Sequence, residues 1–234
     1  LVMFARSILF YLLLGIWTIF MGIACLPYFI LPFAYLRQPV KIWISGIFLL
    51  LKNICQITHE LQGKENMPLH SVLIASKHQS AFETFALFYY IPNSIFIHKK
   101  QLFLIPIFGQ YLKKINMISI DRQKGISAIR SMMINAKKKL NDGYSIIIFP
   151  EGTRKKPGDK PDYKSGFIAI YNEMKTKILP VALNSGNCWP KNTFILKPGH
   201  IIIKIMPLIE ENLKKNEILS NLQKVIENET NKII

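Results

Sequence analysis

The sequence predicts an α/β fold: a single mixed sheet flanked by helices, with an N-terminal hydrophobic helical segment that anchors the chain to a membrane. Three observations predict it. No charged residue occurs between Arg6 and Arg37. From residue 71 onward, short apolar runs alternate with helical patterns, the mark of a sheet carrying helices on its faces. The composition is also apolar and basic at once. Half of the 234 residues are hydrophobic, mean hydropathy is +0.23, and 30 Lys and Arg against 14 Asp and Glu give a net charge of +16. That combination suits work against an anionic membrane surface or an anionic lipid. Nucleic acid is the other usual partner of such charge. Zinc-finger spacing, an RNA-binding aromatic signature and a helix-turn-helix pattern are all missing, so no nucleic-acid partner is expected.

Taken in order, residues 7–24 are apolar enough and long enough for a membrane helix, which needs about 20 residues. Pro27 and Pro32 break the pattern, and 27–36 reads as a loop, a re-entrant turn or the start of a second helix. Arg37, Lys41 and the basic remainder put the domain beyond them on the cytoplasmic side by the positive-inside rule. A signal peptide is the competing reading, with Arg6 as its basic end and Gly22-Ile23-Ala24-Cys25 as a cleavage site. The apolar run continues past Cys25, which favours a retained anchor. Residues 40–57 hold an apolar core, too short to span, between Lys41 and Lys52. An interfacial helix and an ordinary core helix both fit it. Residues 60–69, with Gly63 and Pro68, read as a linker. The expected division is therefore an anchor with interfacial helices over 1–57 and one domain over 58–234.

Within that domain 71–76 is a strand, 82–91 a helix and 94–98 a strand. Residues 104–114 are mixed, 115–120 a strand and 126–140 an amphipathic helix closed by Asn141-Asp142-Gly143. Residues 145–149 form a very hydrophobic strand, 164–173 a helix and 178–183 a strand. Residues 193–196 and 201–206 flank Lys197-Pro198-Gly199-His200 as a hairpin, and 213–233 closes the chain as a polar helix.

The chemistry gathers where strands end. Val72-Leu73-Ile74-Ala75 leads into Lys77-His78-Gln79-Ser80-Ala81-Phe82-Glu83. His78 thus falls at a strand-to-helix junction, the place where α/β folds put their chemistry. A carboxylate on one ring nitrogen leaves the other free to take a proton, which is what a general base needs. The same residues also read as a capping box, Ser80 as N-cap and Glu83 reaching back to its amide. Nothing inside the stretch decides between the two. Further on, Pro150-Glu151-Gly152-Thr153-Arg154 comes after the strand Ile146-Ile147-Ile148-Phe149, and Lys155 and Lys156 extend its positive patch. Arginine suits bidentate phosphate binding, while a solvated turn is the plain alternative. Two further strands end in Asp121-Arg122 and His98-Lys99-Lys100. Asp121-Arg122 is equally readable as a local salt bridge. If these strands are parallel neighbours, a base and a set of cations converge on one sheet edge, as proton abstraction from a phosphorylated alcohol requires. Cys25, Cys55 and Cys188 form no CxxC and are odd in number, pointing to a reducing compartment and packing roles. His59, His70, His98 and His200 make no HxxxH or HExxH pattern, and no metal is expected.

The chain resembles the membrane-bound glycerolipid acyltransferases, specifically the lysophosphatidic acid acyltransferases. Four ordered motifs carry the resemblance over roughly 63–207. They are His78 with Glu83; Lys99, Phe108-Gly109 and Ile120-Asp121-Arg122; Phe149-Pro150-Glu151-Gly152-Thr153-Arg154; and Leu179-Pro180-Val181-Ala182-Leu183. Two departures stand out. The family usually carries aspartate where this chain has Glu83, and asparagine is common where it has Lys77. The resemblance implies the glycerolipid acyltransferase fold and a catalytic pair, His78 as base and Glu83 holding its ring. It also implies a substrate site in which Lys99, Arg122 and Arg154 bind phosphate, with Glu151, Gly152 and Thr153 in the same pocket. By the same resemblance, lysophosphatidic acid is acylated on its 2-hydroxyl from acyl-CoA or acyl carrier protein, with no cofactor beyond that donor. The tetrahedral oxyanion is met by backbone amides near a helix start. The expected home is a membrane, the bacterial inner membrane with the domain facing the cytoplasm, and its lipids are the expected partners. Glycerol 3-phosphate, another lysophospholipid or a lyso-aminolipid are alternative acceptors. A non-catalytic protein that binds anionic lipid is the reading from a different class.

Overall fold

The computed structural model describes residues 1–105, 108–115, 117–121, 125–210 and 215–233. Two helices open the chain, α1 (Val2–Ala24) and α2 (Phe33–Cys55), joined through a 3-10 turn at Leu26–Phe29. The stretch 27–36 thus resolves into that turn and the start of α2, a helix that runs through Pro39. The two helices interlock at Trp17. Its Nε1 donates to the Trp43 carbonyl at 2.9 Å, and Trp43 Nε1 donates to Thr18 Oγ1 at 3.1 Å. Gly46 lies against the Trp17 ring, where a Cβ would sit 2.2 Å from Nε1. Any side chain here forces the helices apart.

On α2, Ile44, Ile47, Phe48, Leu51 and Cys55 are buried at helical spacing, while Ile42 and Leu49 are exposed on its other side. The core-helix and interfacial-helix readings each describe one face of it. Arg37 has a specific duty there. Its guanidinium donates to the carbonyls of Phe88 and Ile91, acceptors left open at the C-terminus of the next helix, and to that of Ser94 beyond it, at 2.8–3.2 Å. By contrast, α1 buries only Ser7, Phe10 and Gly22. Leu12, Ile16, Ile19, Phe20 and Ile23 all stay exposed. By length and composition α1 is able to cross a membrane.

Seven strands form one sheet: β1 (Ile57–Gln62), β2 (Leu73–Ser76), β3 (Ser94–Lys99), β4 (Ile118–Ile120), β5 (Ser145–Ile148), β6 (Ile178–Leu183) and β7 (Gly199–Ile205). Their order is β1-β7-β6-β2-β5-β3-β4. From β6 to β4 all neighbours are parallel; β7 is antiparallel to β6 and parallel to β1, so the sheet is mixed. Five helices flank it: α3 (Phe82–Tyr90), α4 (Phe108–Lys114), α5 (Gly125–Asn141), α6 (Gly166–Met174) and α7 (Lys215–Ile233). Every residue of β2 and β6 is buried, as expected of near-continuous apolar strands covered on both faces. The final helix is amphipathic, with Ile218, Leu222 and Ile226 fully buried in a stripe four residues apart.

Two expectations are corrected. The supposed linker 60–69 begins inside β1, an edge strand whose Ile57 stands opposite Gly199 and whose Gln62 stands opposite Lys204. Its outward residues meet water on the sheet edge, which is why it reads as polar. The hairpin across Lys197–His200 does not form. Residues 193–196 leave the sheet and serve as a seat for α1 instead. Ser7 Oγ accepts the Leu196 N–H at 2.9 Å, and the Phe194 ring packs on Tyr11 at 4.5 Å. Their apolar side chains are spent on α1, and β7 takes its place between β1 and β6.

Candidate active site

Because β2, β5, β3 and β4 are parallel neighbours, their carboxyl ends lie along one edge of the sheet. Ala75 stands opposite Ile148, Phe96 opposite Ile147, and Lys99 opposite Ile120. The residues that follow these strands therefore start from that edge. His78 comes off β2, Phe149 and Glu151 off β5, and Asp121 off β4, while Lys99 ends β3. Arg122 lies outside the described residues.

His78 is pinned from several sides. Its ring stacks on Phe149, centroids 3.8 Å apart and planes 13° from parallel. Its Nδ1 lies 2.9 Å from Glu83 Oε1. Its own N–H donates to Glu151 Oε2 at 3.0 Å, and its carbonyl accepts the Lys155 N–H at 2.8 Å. The loop after β5 thus holds the histidine by both backbone groups. Among the described residues Nε2 has no hydrogen-bond partner, and the side chain is 13% exposed.

Glu83 is fully buried. Besides His78 it accepts from the N–H groups of Gln79 (2.6 Å) and Ser80 (2.7 Å), and from the hydroxyls of Ser80 (3.0 Å) and Ser185 (2.7 Å). Burial by itself pushes this carboxyl up. The hydrogen bond and charge of His78, with the Ser80 amide and Ser185 hydroxyl, outweigh burial and hold it below its ordinary range. The carboxylate is therefore the stable form, and it keeps the imidazole proton on Nδ1 and the Nε2 lone pair free. The capping box is corrected in one respect: the helix N-cap is Ala81, one residue beyond Ser80, and it has no side-chain cap. Glu83 reaches back to the Ser80 amide as a cap does, and the same oxygen meets His78. Ser80 Oγ accepts from the Phe82 N–H rather than from the third residue of the helix.

Glu151 is also fully buried. One oxygen takes the His78 N–H and the other takes Lys77 Nζ at 2.8 Å, so its carboxylate lies behind the histidine loop. Burial pushes its carboxyl up, and the Lys77 ammonium recovers part of that shift. Gly152 has φ +66°, a left-handed conformation that favours glycine and lets the loop double back towards His78. Thr153 is exposed and Arg154 half-buried. Among the described residues neither Arg154 nor the exposed Lys99 has an ion-pair partner, whereas Lys100 sits 3.6 Å from Asp121.

Sequence reasoning missed Ser185, Glu227 and Tyr163. Lys77 Nζ donates to both Glu227 oxygens at 2.7 and 2.9 Å, and Tyr163 OH donates to Glu227 Oε1 at 3.0 Å. Burial and then the charges of Glu227 and Glu151 push the Tyr163 phenol up, so it remains a donor. Behind them a polar cavity of about 150 Å³ is lined by Lys77, Gln79, Glu227 and Thr230, among others. No local signal marks these partners, because Lys77 and Glu227 are 150 residues apart.

In chemical terms the edge offers an imidazole with one nitrogen free of protein partners among the described residues, a carboxylate on its other nitrogen, and cations after β5 and at the end of β3. The profile of the Acyltransferase family matches residues 58–184. The chain is 34% identical over 206 residues to the 1-acyl-sn-glycerol-3-phosphate acyltransferase of Pseudomonas aeruginosa, covering 86% of this chain and 79% of that one. It is 31% identical over 185 residues to the protein of that name from Borreliella burgdorferi, covering 77% and 70%. Against the Cocos nucifera protein of that name the identity is 30% over 168 residues, and this chain spans 54% of its length. Among solved structures, the 1-acyl-sn-glycerophosphate (LPA) acyltransferase of Thermotoga maritima shares the fold, with TM-score 0.82 at 22% identity over 98% of this chain and 95% of that one.

Proposed function

The chain belongs to the Acyltransferase family, and we propose that it transfers a fatty acyl group to the sn-2 hydroxyl of lysophosphatidic acid, giving phosphatidic acid. The observation that supports this best is the 2.9 Å contact of His78 Nδ1 with the buried Glu83, which leaves Nε2 free at the sheet edge. His78 Nε2 takes the hydroxyl proton as the alkoxide attacks the carbonyl of an acyl thioester, on CoA or acyl carrier protein. Glu83 stabilises the imidazolium that forms. The tetrahedral intermediate expels the thiolate, which takes the proton back from Nε2 and leaves as a thiol. A positioned base of this kind contributes about 10²–10⁴ in rate. No step calls on a metal or a further cofactor. Lys99, Arg122 and Arg154 take the substrate phosphate, while Glu151 and Gly152 shape the pocket by holding the loop behind His78, beside Thr153.

We further propose that residues 1–57 hold the 58–234 domain at a bilayer, on the cytoplasmic face of a bacterial inner membrane, where thioester donors and lyso-lipid meet. The exposed apolar side of α1 favours it: among the described residues Leu12, Ile16 and Ile23 are not covered by any other part of the protein. The test is an acceptor panel. The reconstituted protein is given an acyl thioester with lysophosphatidic acid, glycerol 3-phosphate, lysophosphatidylcholine or a lyso-aminolipid, and products are read by mass spectrometry. The reading predicts phosphatidic acid as the main product. Preferential acylation of an acceptor without a phosphate monoester contradicts it.

A further inference from the structure

We infer that Glu227, on the C-terminal helix, is a positioning residue for His78, acting through Lys77 and Glu151. The inference rests on the acyl-transfer reading above. Its basis is an unbroken line of contacts from α7 to the base. Glu227 holds Lys77 Nζ with both oxygens, Lys77 Nζ donates to Glu151 Oε1, and Glu151 Oε2 accepts the N–H of His78 itself. The side chains are 14%, 3% and 0% exposed for Glu227, Lys77 and Glu151. Tyr163 OH fixes the remaining end by donating to Glu227 Oε1.

The charges explain why this line belongs to catalysis as well as folding. A buried lysine facing two carboxylates leaves one negative charge in excess, and a buried ion pair that loses one partner strands the other. Lys77 cannot swing towards Glu151 or away from it while Glu227 grips it bidentately. Glu151 in turn has its second oxygen committed to the His78 backbone, one residue from Lys77. A small displacement of Glu227 is therefore passed to the imidazole, and misplacing a reacting group by about 1 Å costs roughly 10²-fold in rate.

Another tie on the same helix supplies the control. Lys204 on β7 meets Glu229 Oε1 at 2.6 Å and docks α7 without touching the histidine loop. The experiment measures kcat, KM for lysophosphatidic acid and Tm for the full-length reconstituted protein and for Glu227→Gln, Glu227→Asp, Lys77→Asn, the Lys77→Asn/Glu227→Gln double variant and Glu229→Gln. Glu227→Gln is expected to lower kcat roughly 10- to 100-fold with KM within about twofold, and Glu227→Asp to fall between it and the wild type. The double variant is expected to be no slower than the slower single variant, because residues acting as one unit are non-additive. Glu229→Gln is expected to lower Tm and leave kcat at the wild-type value. Three results overturn the inference: equal kcat for wild type, Glu227→Gln and Glu227→Asp; multiplicative losses in the double variant; or an equal kcat loss in Glu229→Gln. A wild type that acylates no lysophosphatidic acid instead overturns the reading on which the inference rests.

Discussion

The two halves of the sheet edge are built differently. At β2 the histidine and its carboxylate are held from several sides. Glu83 accepts from five donors, and the His78 backbone is held at both ends by the loop after β5. At β3 and in the loop after β5, the exposed Lys99 and the half-buried Arg154 have no ion-pair partner among the described residues. The difference teaches a division of labour. Proton transfer requires a base held within a fraction of an ångström, so the protein completes that half itself. Anion binding requires unspent charge, so on the proposed reading the other half is the part that a substrate phosphate would complete.

This contrast is breakable in a definite order. The largest effect belongs to Glu83→Gln. It keeps the shape of the side chain but removes the charge that stabilises the imidazolium, so kcat should fall by about 10²–10⁴ while KM for lysophosphatidic acid stays within a few-fold. Steady-state kinetics at several acceptor concentrations separates the two. An equal rise in KM would place Glu83 in substrate binding and erase the contrast.

Next comes Arg154→Ala. Losing one charge-assisted contact to phosphate should raise KM roughly 10- to 100-fold with a smaller change in kcat. Its Tm should stay close to the wild type, since among the described residues Arg154 makes no hydrogen bond or ion pair. Differential scanning fluorimetry sharpens this point. Glycerol 3-phosphate should raise Tm in the wild type and less so in the variant, by mass action on the folded state.

The smallest effect concerns acid stability. Glu83 titrates lower in the folded protein than its ordinary value of 4.5, so the stability it contributes is present above that value. That stability is lost as pH falls through the lower folded value. Tm of the wild type should therefore drop on the acid side more steeply than Tm of Glu83→Gln. Parallel curves would mean that the carboxylate is not the group being protonated there.

Much of this edge was legible in the sequence, for a physical reason. Central parallel strands such as β2 and β5 are short, apolar but for one serine each and followed by Lys77 or by Phe149-Pro150, so both the strands and the residues at their tips stand out. What stayed hidden depended on partners far along the chain. Strand β1 looks like a polar linker because only its pairing with β7 makes it a strand. Residues 193–196 look like half of a hairpin because their apolar side chains are read without α1, on which they pack. Glu151 sits in the same motif as Arg154, yet the fold turns it inward behind His78 and leaves the arginine outside. Glu227 is one of several acidic residues in a polar-looking helix, and only the docking of α7 brings it to Lys77.

The most direct test of the account is acyl transfer to lysophosphatidic acid by the reconstituted wild type and by His78→Ala, with donors on CoA and on carrier protein and phosphatidic acid read by mass spectrometry. The account predicts product from the wild type and a loss of about 10²–10⁴ or more in the variant, with Tm lowered as well because the buried Glu83 loses its His78 partner. Comparable product from both proteins would mean that another group removes the proton, and would contradict the central role assigned to His78.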